Sequence, residues 1–318
     1  MDKRKMSALS GSVVLLSFLS LVVSIGAAAT ITVDCDAGGT IRGALSSLKP
    51  GDTLLVTGTC NENVVVPAET HRITLDGQGM ATINGPSAAT APIAVIGREI
   101  TIKRFTITGG RNGINVLRGG SAVIDGNTIQ RTGAGGQPGS GLGINVAQHS
   151  FAAIINNTIQ NNPVAGILVH ENSSARIGFV DVASTGLGNT IQNNGRAAIL
   201  LQRGATARIV GNTIRNNRGD GIGVEQGSQA EIANNVIDGN SGNGITVTEH
   251  SGVNLEIKAT GGAGVALPNR TDVAMPNGGA GIQCSVGGYV VGHLGGLTGA
   301  TGAKGFDSTC IDRVLVAP

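Results

Sequence analysis

The sequence predicts an all-β solenoid whose coils, about 23 residues each, carry three short strands. Three observations lead there. One landmark, Gly-Ile-x-Val or a variant, begins at residues 113, 143, 166, 198, 221 and 244; a second, Asn-Thr-Ile or Asn-Val-Ile, begins at 127, 157, 189, 212 and 235. The gap from first to second is 14 residues in four cases of five, the return gap is 9 in four of five, and such fixed-period self-similarity marks a repeat architecture. Within each unit, apolar residues alternate over three or four positions, as in Ile222/Val224, Ala230/Ile232 and Val236/Ile237, between Gly, Asn, Ser and Gln. Alternation of that kind bounded by turn formers is a strand signal. Three strands in 23 residues leave no room for a helix. Equivalent strands of successive coils then pair in parallel about 4.7–4.9 Å apart, with Ile, Val and Ala facing inward.

The two irregular gaps fall between landmarks and read as loops projecting from an otherwise regular solenoid. The stretch from Asn127 to Gly143 holds a Gly-rich insertion, Gly133 to Gly139, seven residues over the standard gap. That from Gly166 to Asn189 holds Phe179 to Leu187, nine over.

This pattern resembles the right-handed parallel β-helix repeat of the pectate-lyase-like superfamily, from roughly Ile31 to Val286. The resemblance implies a single-stranded right-handed parallel β-helix. It also implies that the column Asn127, Asn157, Asn189, Asn212 and Asn235 is a structural ladder at the bend between the second and third strands. Asn tolerates the left-handed conformation, and its amide can bond the next coil's amide.

Taken in order, residues 1–29 read as a secretory signal peptide: Lys3-Arg4-Lys5, an apolar run from Val13 to Ile25, then Ala27-Ala28-Ala29 as the cleavage site. The β-helix domain is then 30–318, with no membrane span after cleavage and a secreted, extracellular or periplasmic, location. Thr40 to Leu48 is the one helix expected, with Thr40 as N-cap and Ile41, Ala44, Leu45 and Leu48 on one face. It serves as an N-terminal cap within about 30–60. Irregular early coils follow at Asp52–Thr57, Asn63–Val66, Arg72–Asp76, Ile93–Ile96 and Ile100–Ile107. Beyond Val247 the period fades, Gly281 to Cys284 reads as one more strand after a loop around Pro268 to Pro276, and 287–318 reads as the second cap.

Four cysteines in a secreted chain imply disulfides, and they sit as two local pairs at the two ends. Of the three connectivities, Cys35–Cys60 and Cys284–Cys310 is favoured, because the others join opposite ends of a long rod. Residues 1–29 hold three basic and one acidic residue, leaving 19 of each sign in 30–318. A neutral chain without basic clusters speaks against nucleic acid or anionic membrane as partner.

The resemblance places activity, where the superfamily has it, on the Gly-Ile-x-Val strand and its flanking turns. The outward position of that strand holds Asn115, Asn145, Leu168, Leu200, Gly223 and Thr246, none of them acidic. The two following positions are richer, and stacking gathers His170, Glu171, Arg203, Glu225 and Glu249, with His149 and His250 one position on and Asp220 before its strand. The catalytic candidates are therefore His170, Arg203, Asp220, Glu225 and Glu249. Exposed turns are polar on any soluble solenoid, and alternating Glu and Arg form ordinary cross-coil pairs, which is the stronger reading. No cofactor is expected, with calcium implied only for a lyase. Aromatic residues, which give sugar-binding grooves their platforms, are scarce: one Tyr, no Trp, and Phe105, Phe151, Phe179 and Phe306 beyond the signal peptide.

Arg218-Gly219-Asp220 matches an integrin-binding tripeptide but lies in a turn that every coil requires, and Asn156, Asn172 and Asn269 begin glycosylation sequons. The function expected is a rigid secreted surface or binding module, carbohydrate-associated, with a polysaccharide or cell-surface ligand as partner. The alternative is a polysaccharide lyase, epimerase or hydrolase. A repeat-built adhesin, the third reading, would place the loops at 133–141 and 179–187 on one binding surface.

Overall fold

A computed structural model describes residues 27–133, 140–180, 186–255, 268–272 and 274–315. The expected signal peptide lies outside these residues except for 27–29, and so do most of the two inserted loops. Each coil of the regular region contributes one strand to each of three parallel sheets. In chain order these are sheet 1 with ten strands, sheet 2 with twelve and sheet 3 with eight.

The register is column-perfect. In sheet 1, Val64, Ile93, Ile114, Ile144, Ile167, Ile199, Ile222, Ile245 and Ile282 pair in succession. Sheet 2 stacks Ile102, Ile124, Ile154, Ile177, Ile209 and Ile232, and sheet 3 stacks Ile83, Ile107, Ile129, Ile159, Ile191, Ile214 and Ile237. All of these side chains are fully buried, and each contributes roughly 1.5–3 kcal/mol by leaving water. A slip of one residue would turn every column outward, so the alternation in the sequence also fixes the register.

The bend between sheets 2 and 3 is held by the asparagine ladder. Each backbone amide in the series Asn127, Asn157, Asn189, Asn212 and Asn235 donates to the Oδ1 of the next, at 2.9–3.1 Å, and the column ends on Asn269. Asn269 is completely buried there, so it is no glycosylation acceptor, contrary to its sequon. A second buried ladder follows sheet 3, from Thr132 through Asn162, Asn194, Asn217 and Asn240 to Asn277. Its signal, an Asn five residues after each Asn of the first column from Asn157 to Asn235, is present in the sequence.

The ends differ from expectation in detail. Helix α1 spans Ile41–Leu45, with the Thr40 hydroxyl accepting from the Gly43 amide. It stops short of Leu48 because Ser46 and Ser47 turn their hydroxyls onto the carbonyls of Gly43 and Ala44, competing with helix continuation. The segment expected as the second cap instead adds strands: Tyr289–His293 and Ile311–Leu315 extend sheet 2, and Lys304–Phe306 extends sheet 1. Thr30–Asp34 and Thr82–Gly85 are further strands absent from the sequence reading. Cystines join Cys35 to Cys60 and Cys284 to Cys310.

Candidate functional site

Strand and turn geometry together aim the sheet 1 side chains. After each strand the chain turns through left-handed residues, among them Arg118, Gln148, His149, Glu171, Asn172, Arg203, Gln226, Glu249 and His250, with φ between 53° and 60°. Non-glycine residues pay about 1–2 kcal/mol for this conformation. Coil-to-coil bonds hold it: His149 N–H donates to the Glu171 carbonyl, Asn172 to Arg203, Gly204 to Gln226 and Gly227 to Glu249. Side chains at equivalent turn positions therefore stand one coil apart on one edge.

On that edge His170, Glu171 and Arg203 meet. The Glu171 carboxylate lies 3.7 Å from His170 Nδ1 and 3.5 Å from Arg203 Nη1. His170 Nε2 is 3.0 Å from the Asn145 Oδ1, an acceptor, so the neutral ring carries its proton on Nε2 and leaves the Nδ1 lone pair toward Glu171. Burial lowers the His170 pKa from its ordinary value and Arg203 adds to that, while Glu171 opposes it. The imidazole is thus neutral at neutral pH.

The other candidates are separately engaged. Glu225, one coil beyond Arg203, accepts from Gln202 Nε2 at 2.9 Å. Asp220 accepts from the Asn243 amide at 2.7 Å and from the Thr246 hydroxyl at 2.8 Å, which also withdraws it from any Arg-Gly-Asp presentation. Because Asp220 precedes the strand Ile222–Val224 and Glu225 follows it, up to about 16 Å of extended chain separates them. Glu249 is exposed at its turn. The structure brings together His170, Glu171, Arg203 and, one coil on, Glu225; Asp220 stands on the opposite edge.

Among the described residues, the grouping of His, Cys, Asp or Glu within metal reach is Cys35, Cys60 and Glu62. The two thiols form a cystine, and Glu62 accepts from the amides of Ile41 and Arg42 at 2.7 and 3.1 Å, so this group caps a helix.

A concavity lined by both apolar and charged side chains lies on sheet 2. It is a cleft of about 560 Å³ bordered by Phe151, Arg176, Arg208, Glu231 and Tyr289. Scarce as aromatics are in the sequence, two of them open onto one groove.

A solenoid of stacked parallel coils with polar ladders at its bends defines the class of β-helix proteins. The family model described as right handed beta helix region matches residues 56–183 and 93–260, more than half of the chain, and the chain belongs to that family. An alginate lyase from Paenibacillus sp. str. FPU-7 superposes with a TM-score of 0.51 at 16% identity, over 89% of this chain and 99% of that one. The A-module of the Azotobacter vinelandii mannuronan C-5 epimerase AlgE4 gives 0.47 at 14% identity, over 92% of each chain. Pectate lyase Pel9A gives 0.45 at 11%, over 92% of this chain and 80% of that one. At these identities the likeness is one of fold. No curated protein sequence matches the chain.

Proposed function

We propose that the chain is a rigid extracytoplasmic β-helix that binds polysaccharide along an extended face without transforming it. The observation that carries this reading is the engagement of the sheet 1 carboxylates. Glu225 holds Gln202, Asp220 holds Asn243 and Thr246, and Glu171 sits between His170 and Arg203. General acid–base cleavage or epimerisation of a sugar chain requires free groups that converge on one reacting bond, and here Glu171 and Glu225 are taken up by their neighbours while Asp220 stands on the opposite edge. Paired cystines support an oxidising compartment, and among the described residues no helix is long and apolar enough to cross a membrane. Likeness of fold to an alginate lyase supports polysaccharide as the ligand class over a protein cell-surface ligand.

The second reading, a lyase or epimerase, rests on His170. Its neutral ring with an unprotonated Nδ1 beside Glu171 and Arg203 has the character of a base next to a cation. One experiment separates the two: a panel of uronate polymers and neutral glycans, with and without calcium, followed for binding and for new unsaturated-uronide absorbance. Binding without absorbance is expected. Absorbance abolished by Glu225→Gln or Arg203→Ala would establish the enzyme instead.

A further inference from the structure

We infer that the sheet 2 cleft, on a different side of the rod from His170 and Glu225, is a binding site for a sugar chain carrying anionic substituents, carboxylate or sulfate. This rests on the polysaccharide-binding reading and assigns it a face and a charge.

The cleft floor consists of two outward rows in strict register. The first row runs Phe151, Ser174, Thr206, Gln229, Gly252, Tyr289. Five strand-to-strand steps separate its aromatic ends, about 24 Å at the usual spacing. Between them stand only small or uncharged residues. An extended groove with a ring at each end and hydroxyls and an amide between suits several consecutive sugar rings: their apolar faces stack on the aromatics and their hydroxyls bond to the floor.

Tyr289 is arranged as such a platform. Its ring lies across Gly252, where an added Cβ would come within 2.0 Å of the ring carbon Cζ, and its hydroxyl donates to the Gln229 Oε1 one strand further on. The side chain is laid flat along the floor and pinned at its tip. It remains 36% exposed, and Phe151 at the other end is 37% exposed. Mere cover for a glycine would account for the ring's position, but not for an exposed phenylalanine in the same row at the far end.

The second row supplies charge. Arg176, Arg208 and Glu231 are consecutive partners in it, two cations against one anion. Arg208 packs on the Phe179 ring with its guanidinium carbon 5.0 Å from the centroid, and it pairs with Glu231. Arg176 is exposed, and one of its N–H groups donates to the Val180 carbonyl. A guanidinium has five N–H donors, so both arginines retain donors for the planar or tetrahedral anions they match best. A neutral glycan could meet these donors only with hydroxyl oxygens and would forgo the charge-assisted bonds.

Tyr289 is the single tyrosine in a chain without tryptophan, so tyrosine emission reports this cleft alone. The experiment is a titration of the full chain with carboxylated, sulfated and neutral oligosaccharides long enough to span ~24 Å, followed by that emission and by calorimetry. A saturable change with one or both anionic oligomers, and roughly tenfold weaker binding of the neutral one, is expected. Arg176→Gln should weaken anion binding roughly tenfold and flatten its salt dependence. Tyr289→Leu, which keeps apolar cover over Gly252, should weaken calorimetric binding at least ~fivefold. Equal binding of neutral and anionic oligomers would overturn the assigned charge. Binding that leaves Tyr289 emission unchanged and is lost in Gln202→Ala would move the ligand to sheet 1, overturning this inference while sparing the polysaccharide reading. Calorimetric silence with every oligomer would overturn both.

Discussion

Asp76 and Asp238 are both buried, both end a strand of the same solenoid, and their carboxyls are pushed in opposite directions. Burial alone would raise Asp76. It is nevertheless held below the ordinary carboxylate range, because Arg104 grips both oxygens, the Gln78 amide donates at 2.8 Å and Lys103 stands at 3.4 Å. Asp238 is raised by burial first and by the charge of Asp272 second, with Arg215 and Arg270 opposing. Its Oδ1 is buried with no hydrogen-bond partner among the described residues. The neighbouring coil makes the difference. Asp76 lies on a strand flanked on both sides, and the next coil supplies Arg104, whereas the coil beyond Asp238 joins its strand through an isolated bridge at Arg270 and sets the charge of Asp272 nearby. In a stacked rod, a polar group depends on the coil beyond it.

The contrast can be sharpened or broken experimentally. The largest effect is expected from the cystines, which close the ends across sequence separations of 25 and 26 residues. Removing either should cost about 3 kcal/mol, read as a drop in the urea midpoint, and should let each end fray independently. Next comes Asp76→Asn, which replaces charge-assisted bonds and should cost about 2 kcal/mol at neutral pH. A depressed carboxyl stabilises the fold above its unfolded pKa of about 3.9 and loses that contribution as pH falls through the lower folded value. Variant and parent should therefore converge in strong acid; a deficit that persists there would assign Asp76 a packing role only. Asp238→Asn should have the smallest effect and the opposite sign, a gain of under ~1 kcal/mol at neutral pH. For a raised carboxyl, the contribution is complete below about 3.9 and is lost as pH rises through the folded value. A destabilised Asp238→Asn protein at neutral pH would remove the contrast.

Much of this architecture is legible in the sequence, because a repeat writes each structural demand several times over. The isoleucine columns, the first asparagine ladder and the end-local cysteines are periodic or positional signals that need no tertiary knowledge. Single occurrences were opaque. The pairing of Tyr289 with Gln229 spans 60 residues, and nothing local distinguishes that tyrosine from a capping aromatic. Asp238 and Asp76 look alike in sequence, since what separates them is whether an arginine one coil away bonds the carboxylate: Arg104 grips Asp76, whereas Asp238 Oδ1 has no hydrogen-bond partner among the described residues. The sheet 1 candidates were nominated by column, which correctly identifies neighbours across coils. It puts Asp220 before the strand Ile222–Val224 and Glu225 after it, but takes no account of the extended chain that then holds the two apart.

The exact register of the ladders has one more consequence. Because Asn212 and Asn235 occupy equivalent places, joining Gly211 directly to Asn235 would recreate the original junction with one whole coil missing. Every column would close over the gap. The chain's length is thus quantised in units of one turn, and a lineage could lengthen or shorten its reach by duplication or loss of a segment without redesigning a single contact type.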